Sequence, residues 1–418
     1  MIKIYDMETL EEREILFRGG SGADVSAPVA EILRAVQERG DAALREYTLR
    51  FDGAAPDALA VTAEEVDQAA AQVEPAFLAV LEEAAEHIRA YHARQKRESF
   101  VMTEREGVVL GQRIIPLARV GIYVPGGTAA YPSTVLMNAI PARIAGVGEI
   151  IMVTPPGRDG AVNPHILAAA KIAGVTRIYK VGGAQAVAAL AYGTGTIPQV
   201  DKIVGPGNAY VAEAKRQVFG RVNIDMIAGP SEVLVLADGR SNPAWVAADL
   251  LSQAEHDRMA AAVLVTDSRP LAEAVAHELE RQLAALPRAE IARASLEANG
   301  KLIVCRDLRE GIAVANRIAP EHLELCVDNP FDYLGEIQNA GSVFLGRYNP
   351  EPMGDYFAGP NHTLPTMGTA RFYSPLSVDD FVKKSQFSYY TRDALARDYR
   401  KVSLFARKEG LDAHARAV

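Results

Sequence analysis

From residue 26 to about 100 the apolar positions recur every three or four residues, the period of an amphipathic helix. "APVAEILRAVQERG", "DAALREYTLRF" and "VDQAAAQVEPAFLAVLEEAAEHIRAYHARQK" carry this pattern on an Ala- and Glu-rich background. After residue 118 the rhythm changes. Short β-branched runs appear: "RVGIYVP", "EIIMVTP", "RIYKV", "DKIVG", "EVLVLAD", "AAAVLVTD", "KLIVC" and "GSVFLG". They alternate with segments of helical length, such as "PHILAAAKIAG", "AQAVAALAYG", "AYVAEAKRQV" and "RPLAEAVAHELERQLAAL". Strand–helix alternation predicts parallel sheets with helices on both faces, and here it runs long enough for two such sheets. A break falls near "AGPSE" (228–232). Residues 1–17 read as a short arm. The tail from about 376 reads as a helical segment of mixed charge with little core of its own, suited to packing on another subunit.

Composition narrows the class. A chain of 418 residues is too long for one ordinary core, so two or more domains are expected. The net charge of −9 gives no reason to expect nucleic acid or an anionic membrane as partner. No apolar run approaches a membrane span. The opening "MIKIYDMETLEEREILFRG" lacks the apolar segment of a secretory signal, and its acidic residues argue against a transit peptide. A cytoplasmic protein is expected. The two cysteines, Cys305 in "KLIVCRD" and Cys326 in "LELCVD", sit in strand-like runs and read as buried thiols rather than disulfide or zinc ligands.

Candidate chemistry lies in two kinds of motif. Three Gly-rich stretches close a strand and open a helix: "YVPGG" (123–127), "VGGAQ" (181–185) and "VGPGN" (204–208). None completes G-x-G-x-x-G; "GPGNAY" has Tyr210 at the third Gly, and "GTGTIP" runs into Pro198. Each alone is as readily a tight turn. Three in one half-chain point to a nucleotide held without the standard motif, because strand ends and helix N-termini receive phosphates in doubly wound sheets.

The second kind involves histidine. His87, His92, His165 and His277 lie in helical patterns with no polar cluster nearby. His256, His322, His362 and His414 sit in less ordinary company, "SQAEH", "APEHLEL", "GDYFAGPNHTLP" and "LDAHARA". Asn242 and Pro243 open a helix whose apolar stripe, Val246 and Leu250, continues at Gln253 and His256. Residues three apart share a face, so Gln253 and His256 can reach one atom while Glu255 points elsewhere. On spacing alone His256 reads more readily as an imidazole settled by the helix dipole than as a ligand. Asp355 of "MGDYF", in a Gly-flanked loop, is a candidate carboxylate ligand or a turn-forming Asp. Pro320 suits a helix start or a sharp turn. Glu321 and His322 after it are either two groups serving different protons or a helix-terminal carboxylate beside an ordinary histidine. A zinc site here would use nitrogen and oxygen ligands. Residues alone therefore leave open a zinc hydrolase or a non-catalytic binding module beside an oxidoreductase.

Longer stretches go further. "IDMIAGPSEVLVLADGRSNPAWVAADLLSQAEH", "GIYVPGGTAAYPSTVLMNAIPARIAGV", "KVGGAQAVAALAYGT", "DKIVGPGNAYVAEAKRQVFG", "IAPEHLEL", "GDYFAGPNHTLPT" and "SPLSVDDFVKKSQ" resemble, in order from roughly residue 120 onward, the signature of histidinol dehydrogenase. The helical N-terminal part fits more loosely. The resemblance implies a zinc-dependent homodimer, with one Zn2+ per subunit. Such an enzyme oxidises L-histidinol to L-histidine through L-histidinaldehyde with two NAD+, the last step of histidine biosynthesis. Carried over by motif, the zinc ligands are Gln253, His256, Asp355 and His414, the last from the partner subunit. The acid–base pair is Glu321 and His322. Ser231, His362 and Glu409 resemble further substrate contacts, and Tyr123, Gln185 and Asn208 the NAD contacts. The implied α/β fold has two incomplete Rossmann-like, doubly wound domains, a helical N-terminal region and small dimerisation extensions at both ends. The expected division is an arm (1–17), a discontinuous zinc and substrate domain (18–122 plus 231–375), an NAD domain (123–230) and a C-terminal helical extension reaching the partner subunit (376–418).

Overall fold

The structure is a computed structural model and describes residues 2–16, 24–126 and 130–418. Residue 17 of the expected arm and Gly127 of "YVPGG" lie outside the described residues. All eight β-branched runs form strands, in two parallel sheets. The five-stranded sheet runs, from edge to edge, Arg177–Lys180, Glu149–Thr154, Arg119–Tyr123, Lys202–Val204, Asn223–Ile224. The six-stranded sheet runs Lys3–Asp6, Lys301–Val304, Ala261–Thr266, Glu232–Ala237, His322–Cys326, Ser342–Leu345. Ranked by chain position, the five strands of the first sheet and the last five of the second share one order, third-second-first-fourth-fifth. The two sheets therefore repeat one half of a doubly wound topology, and the chain passes between them through 225–231.

Both faces of each sheet are buried, which explains why the strands read as continuous apolar runs rather than alternating ones. Val120, Ile122, Ile150 and Met152 meet the helices Pro132–Ala145 and Pro164–Ala173. Ile151, Val153 and Ile203 meet the helices Gly183–Tyr192 and Ala209–Val218. In the second sheet Val233 and Val235 pack on Val246 and Leu250, and Leu234 and Leu236 on Ile312 and Ala315. Cys305 and Cys326 are buried free thiols. Among the described residues no helix is long and apolar enough to cross a membrane.

Three features differ from the sequence expectation. The arm is not free: Lys3–Asp6 adds a parallel edge strand beside Lys301–Val304. The tail is not wholly helical: Val382–Tyr390 pairs antiparallel with Val108–Pro116, which also pairs with Phe100–Met102, before the Arg392–Lys408 helix begins. That strand is exposed along nearly its whole length, so it offers no buried face for periodicity to reveal. Finally, the N-terminal helices, grouped by sequence with 231–375, bury Val29, Leu33, Val36, Leu44, Leu81, Ala85 and Ile88 in the two cores of the five-stranded sheet. The cause is the helix Gly183–Tyr192, buried continuously from Ala184 to Ala191. A helix apolar on all sides needs cover on both, and Ser26–Arg39 and Asp41–Asp52 supply it. Pro75 splits the longest apolar stretch of this region into the helices Ala63–Gln72 and Pro75–Ala93.

One buried ion pair sets a strand end, and one pair of carboxyls lies between a helix and the middle of a strand. Lys215, almost fully buried, pairs with Asp225 and donates to the Gly205 carbonyl at 3.0 Å. Asp225 in turn accepts the Gly205 amide at 2.7 Å. Gly205 itself adopts φ +112°, and a Cβ there would stand 2.2 Å from the Tyr123 carbonyl oxygen; only glycine serves. In Lys215→Met the Asp225 charge is left buried and alone, and a loss of about 3–5 kcal/mol is expected in urea denaturation; a loss below about 1 kcal/mol would contradict this account. The second pair is Asp249 and Glu324. Burial raises both, and Asp249 is pushed from the ordinary 3.8 up to about 6. At Asp249 the folded chain thus holds a proton that the unfolded chain releases, so the contribution of this group to stability falls as pH rises from 3.8 toward 6 and is constant above that. Asp249→Asn is expected to flatten that fall in thermal melts; a slope equal to that of the parent protein would refute the assignment.

Candidate active site

The two sheets meet at a cavity of about 300 Å³. Its walls come from the C-terminal ends of the five-stranded sheet and the N-terminal ends of the six-stranded one. Pro125 and Gly205–Asn208 follow strands of the first. Ser231, Glu321 and His322 stand at the start of strands of the second. The C-terminal crevice of the second sheet, where such folds usually bind ligands, is closed by Arg347, which pairs with Asp238 and Asp328 just beyond two central strands.

The acid–base candidates are set by the backbone of one residue, Glu232. At the start of the adjacent strands Glu232–Ala237 and His322–Cys326, the Glu232 amide donates to Glu321 Oε2 at 2.9 Å and the Glu232 carbonyl receives His322 Nδ1 at 2.9 Å. Ala319 adopts φ +51°, and Pro320 after it makes the sharp turn into the strand, not a helix start. Glu321 and His322 are buried, at 7% and 4% exposure. Burial raises the Glu321 carboxyl well above its ordinary range and lowers the His322 imidazole. With Nδ1–H committed to a carbonyl, the neutral ring presents Nε2 as a base. That nitrogen is buried without a hydrogen-bond partner, 3.6 Å from Glu351 Oε1 and 3.8 Å from Asp355 Oδ1.

Gln253 ends the Pro243–Ala254 helix, which Asn242 caps through the Ala244 amide at 2.9 Å. One tight turn further, the His256 amide reaches the Gln253 carbonyl at 3.1 Å. Gln253 is 1% exposed with both amide atoms unpartnered, and His256 is exposed; both line the cavity. Glu255 lines a neighbouring cavity instead. Asp355 sits on the short helix Glu351–Tyr356, not in a loop. His362 Nδ1 donates to the Asp355 carbonyl at 3.1 Å, and burial lowers its imidazole.

The cavity thus gathers Asn208, Ser231, Gln253, His256, Glu321, His322, Asp355 and His362. Four expected residues lie elsewhere. Tyr123 is buried, its hydroxyl accepting the Gly183 amide at 3.0 Å. Gln185 is 1% exposed with both amide atoms unpartnered, and it does not line the cavity. Glu409 and His414 are exposed on the C-terminal segment, outside the cavity lining. Asn208 also has a local duty, capping Ala209–Val218 through the amides of Tyr210 and Val211.

Sequence reading missed Glu351. It is 2% exposed, and its carboxyl is raised first by burial and then by Asp355. Its four-residue spacing from Asp355 is the signal that places both on one helical face. The ligating atoms of His322, Glu351 and Asp355 lie within 4.8 Å of one another. Three acceptors so close, with unpartnered Gln253 beside the same cavity, form a nitrogen–oxygen environment that a divalent cation fits. Asp355 is the member shared with the ligand set expected from sequence.

Comparison with known proteins agrees with this geometry. The family model for histidinol dehydrogenase matches residues 18–418. A histidinol dehydrogenase of Listeria monocytogenes serotype 4b (strain F2365) is 54% identical over 411 residues, 98% of this chain and 96% of that protein. One from Geobacter metallireducens is 57% identical over 414 residues, 98% and 94% of the two chains. The crystal structure of histidinol dehydrogenase from Elizabethkingia anophelis superposes with a TM-score of 0.95 at 40% identity, covering 100% of this chain and 96% of that one. With the match running through the strands, loops and helices that build the cavity, the chain belongs to the histidinol dehydrogenase family.

Proposed function

We propose that this protein is a zinc-dependent dehydrogenase that oxidises L-histidinol to L-histidine through L-histidinaldehyde, using two NAD+. The observation that carries the reading is the buried His322, its Nδ1 committed to a carbonyl and its Nε2 free, beside buried Glu321 in a cavity between the two sheets. The Gly205–Asn208 turn and Ser133 and Thr134, in the first turn of the Pro132–Ala145 helix, line the same cavity. Helix N-termini of this kind favour a pyrophosphate, which supports NAD at this end.

Gln253, His256 and Asp355 of this chain, with His414 of a second copy, are the proposed zinc-holding set. Bound there, zinc orients the substrate, and NAD+ is the hydride acceptor. In the first oxidation His322 Nε2 takes the hydroxyl proton. His322 passes that proton to solvent, Glu321 takes a proton from the water that adds to the aldehyde, and His322, neutral again, takes the proton of the second oxidation. Ser231 and His362 hold the substrate from either side, with Glu409 of the second copy. The Arg392–Lys408 helix leaves Leu395, Tyr399, Val402 and Phe405 exposed along one side. An apolar stripe left open in this way supports a homodimer in which this segment completes the neighbouring site.

The test is direct: supply L-histidinol and NAD+ and count NADH per substrate. Two supports the reading, one reduces it to a plain alcohol dehydrogenase, and none removes it. His322→Asn is expected to keep its zinc and lose turnover by about 10²–10⁴-fold; full activity would sink the role of His322. His414→Asn is expected to lower zinc content. Mixing it with Gln253→Asn chains should restore part of the activity, since one site in each mixed dimer is intact; no recovery would count against a shared site.

A further inference from the structure

His92, which sequence placed in a helix with no polar cluster nearby, is fully buried in a network that reaches the cavity wall. His92 Nδ1 lies 2.7 Å from Gln95 Oε1, an oxygen that already accepts the Val378 amide at 3.1 Å. Nδ1 must therefore carry the proton, and Nε2 is an acceptor. Burial also lowers this imidazole, so the ring stays neutral. Asn361 Nδ2 stands 3.4 Å from that Nε2 and donates to the Met137 carbonyl at 2.6 Å. Its Oδ1 accepts the Thr363 amide at 2.9 Å. Every donor in the chain meets an acceptor, so the network has one consistent arrangement.

The position of this network matters. His92 lies on the Pro75–Ala93 helix and Met137 on the Pro132–Ala145 helix, both packed on the five-stranded sheet. Asn361 precedes His362, Thr363 and Leu364, which line the cavity from the other side. A second contact lies beside it: His87 Nδ1 reaches the Phe357 carbonyl at 2.8 Å, the two rings meet edge to face at 4.7 Å, and a Cβ on Gly359 would come within 2.8 Å of the His87 carbonyl oxygen. The wall carrying His362 is thus fastened across the junction of the two sheets by buried hydrogen bonds.

We propose that the His92–Asn361 tie holds this wall closed on the intermediate, so that L-histidinaldehyde stays in the site between the two oxidations. The inference rests on the preceding reading. The first oxidation sends a hydride to NAD+ and a proton to His322, and it leaves an aldehyde with no covalent bond to the protein. Retention then depends on the non-covalent hold of the site, including His362 on this wall, while NADH leaves and a second NAD+ enters. His92 and Asn361 touch none of the reacting atoms; they are positioning residues.

The experiment uses the full-length, zinc-loaded enzyme with L-histidinol, excess NAD+ and an aldehyde-trapping hydrazine in solution. The parent enzyme should yield two NADH per substrate with little trapped aldehyde. Asn361→Ala and His92→Phe should yield NADH falling toward one per substrate, with trapped aldehyde making up the difference, while zinc content and the KM for NAD+ hold. A parent enzyme that fails to give two NADH sinks the functional reading and leaves nothing for the tie to retain. A parent enzyme that gives two, with folded, zinc-loaded variants that also give two and release no aldehyde, overturns the tie alone. Failure of both variants to fold would mark the network as structural support only and would equally overturn it.

Discussion

The site depends on the backbone of Glu232. Its amide grips the Glu321 carboxyl and its carbonyl receives His322 Nδ1, so the two peptide groups flanking one residue, held in the register of two adjacent parallel strands, orient both side chains. The arrangement works because strand starts leave backbone donors and acceptors unclaimed by the ladder. A carboxylate and an imidazole satisfy them, and in doing so have their free atoms directed into the cavity. The chemistry is anchored to the most buried part of the sheet rather than to a loop.

That anchoring explains an unusual arrangement of the two half-sheets. They repeat one topology but are used in opposite senses, the five-stranded sheet through its C-terminal ends and the six-stranded one through its N-terminal ends. The crevice left over in the second sheet holds Asp238 and Asp328 bound to Arg347, charges matched to each other and not to a ligand. Burial follows the same division. Apolar layers on both faces of each sheet hold the strands, and the buried ion pair of Lys215 with Asp225 is placed where a strand end must be set.

Much of this was legible in the residues. The eight β-branched runs and the cap at Asn242 are local decisions, made by backbone sterics and side-chain reach within a few residues. The long motif matches from residue 120 onward carried the family. The departures have a common cause. Lys3–Asp6 and Val382–Tyr390 are strands only because Lys301–Val304 and Val108–Pro116 offer them an edge. His92 reads as an ordinary helical histidine until Asn361, 269 positions away, is placed against it.

The sequence by itself determined the eight β-branched strands, the helices that alternate with them and which residue types are available for chemistry, because periodicity and capping act over a few residues. It also determined that Gln253 and His256 share one helix end. Only the tertiary structure decided that Glu351 joins Asp355 and His322 within 4.8 Å, that the N-terminal helices cover the five-stranded sheet, and that Glu409 and His414 lie outside the cavity of their own chain. Those outcomes depend on which surfaces meet. Burial, and with it the displaced acidities of Glu321 and His322, exists only after the two sheets have closed on each other and excluded water.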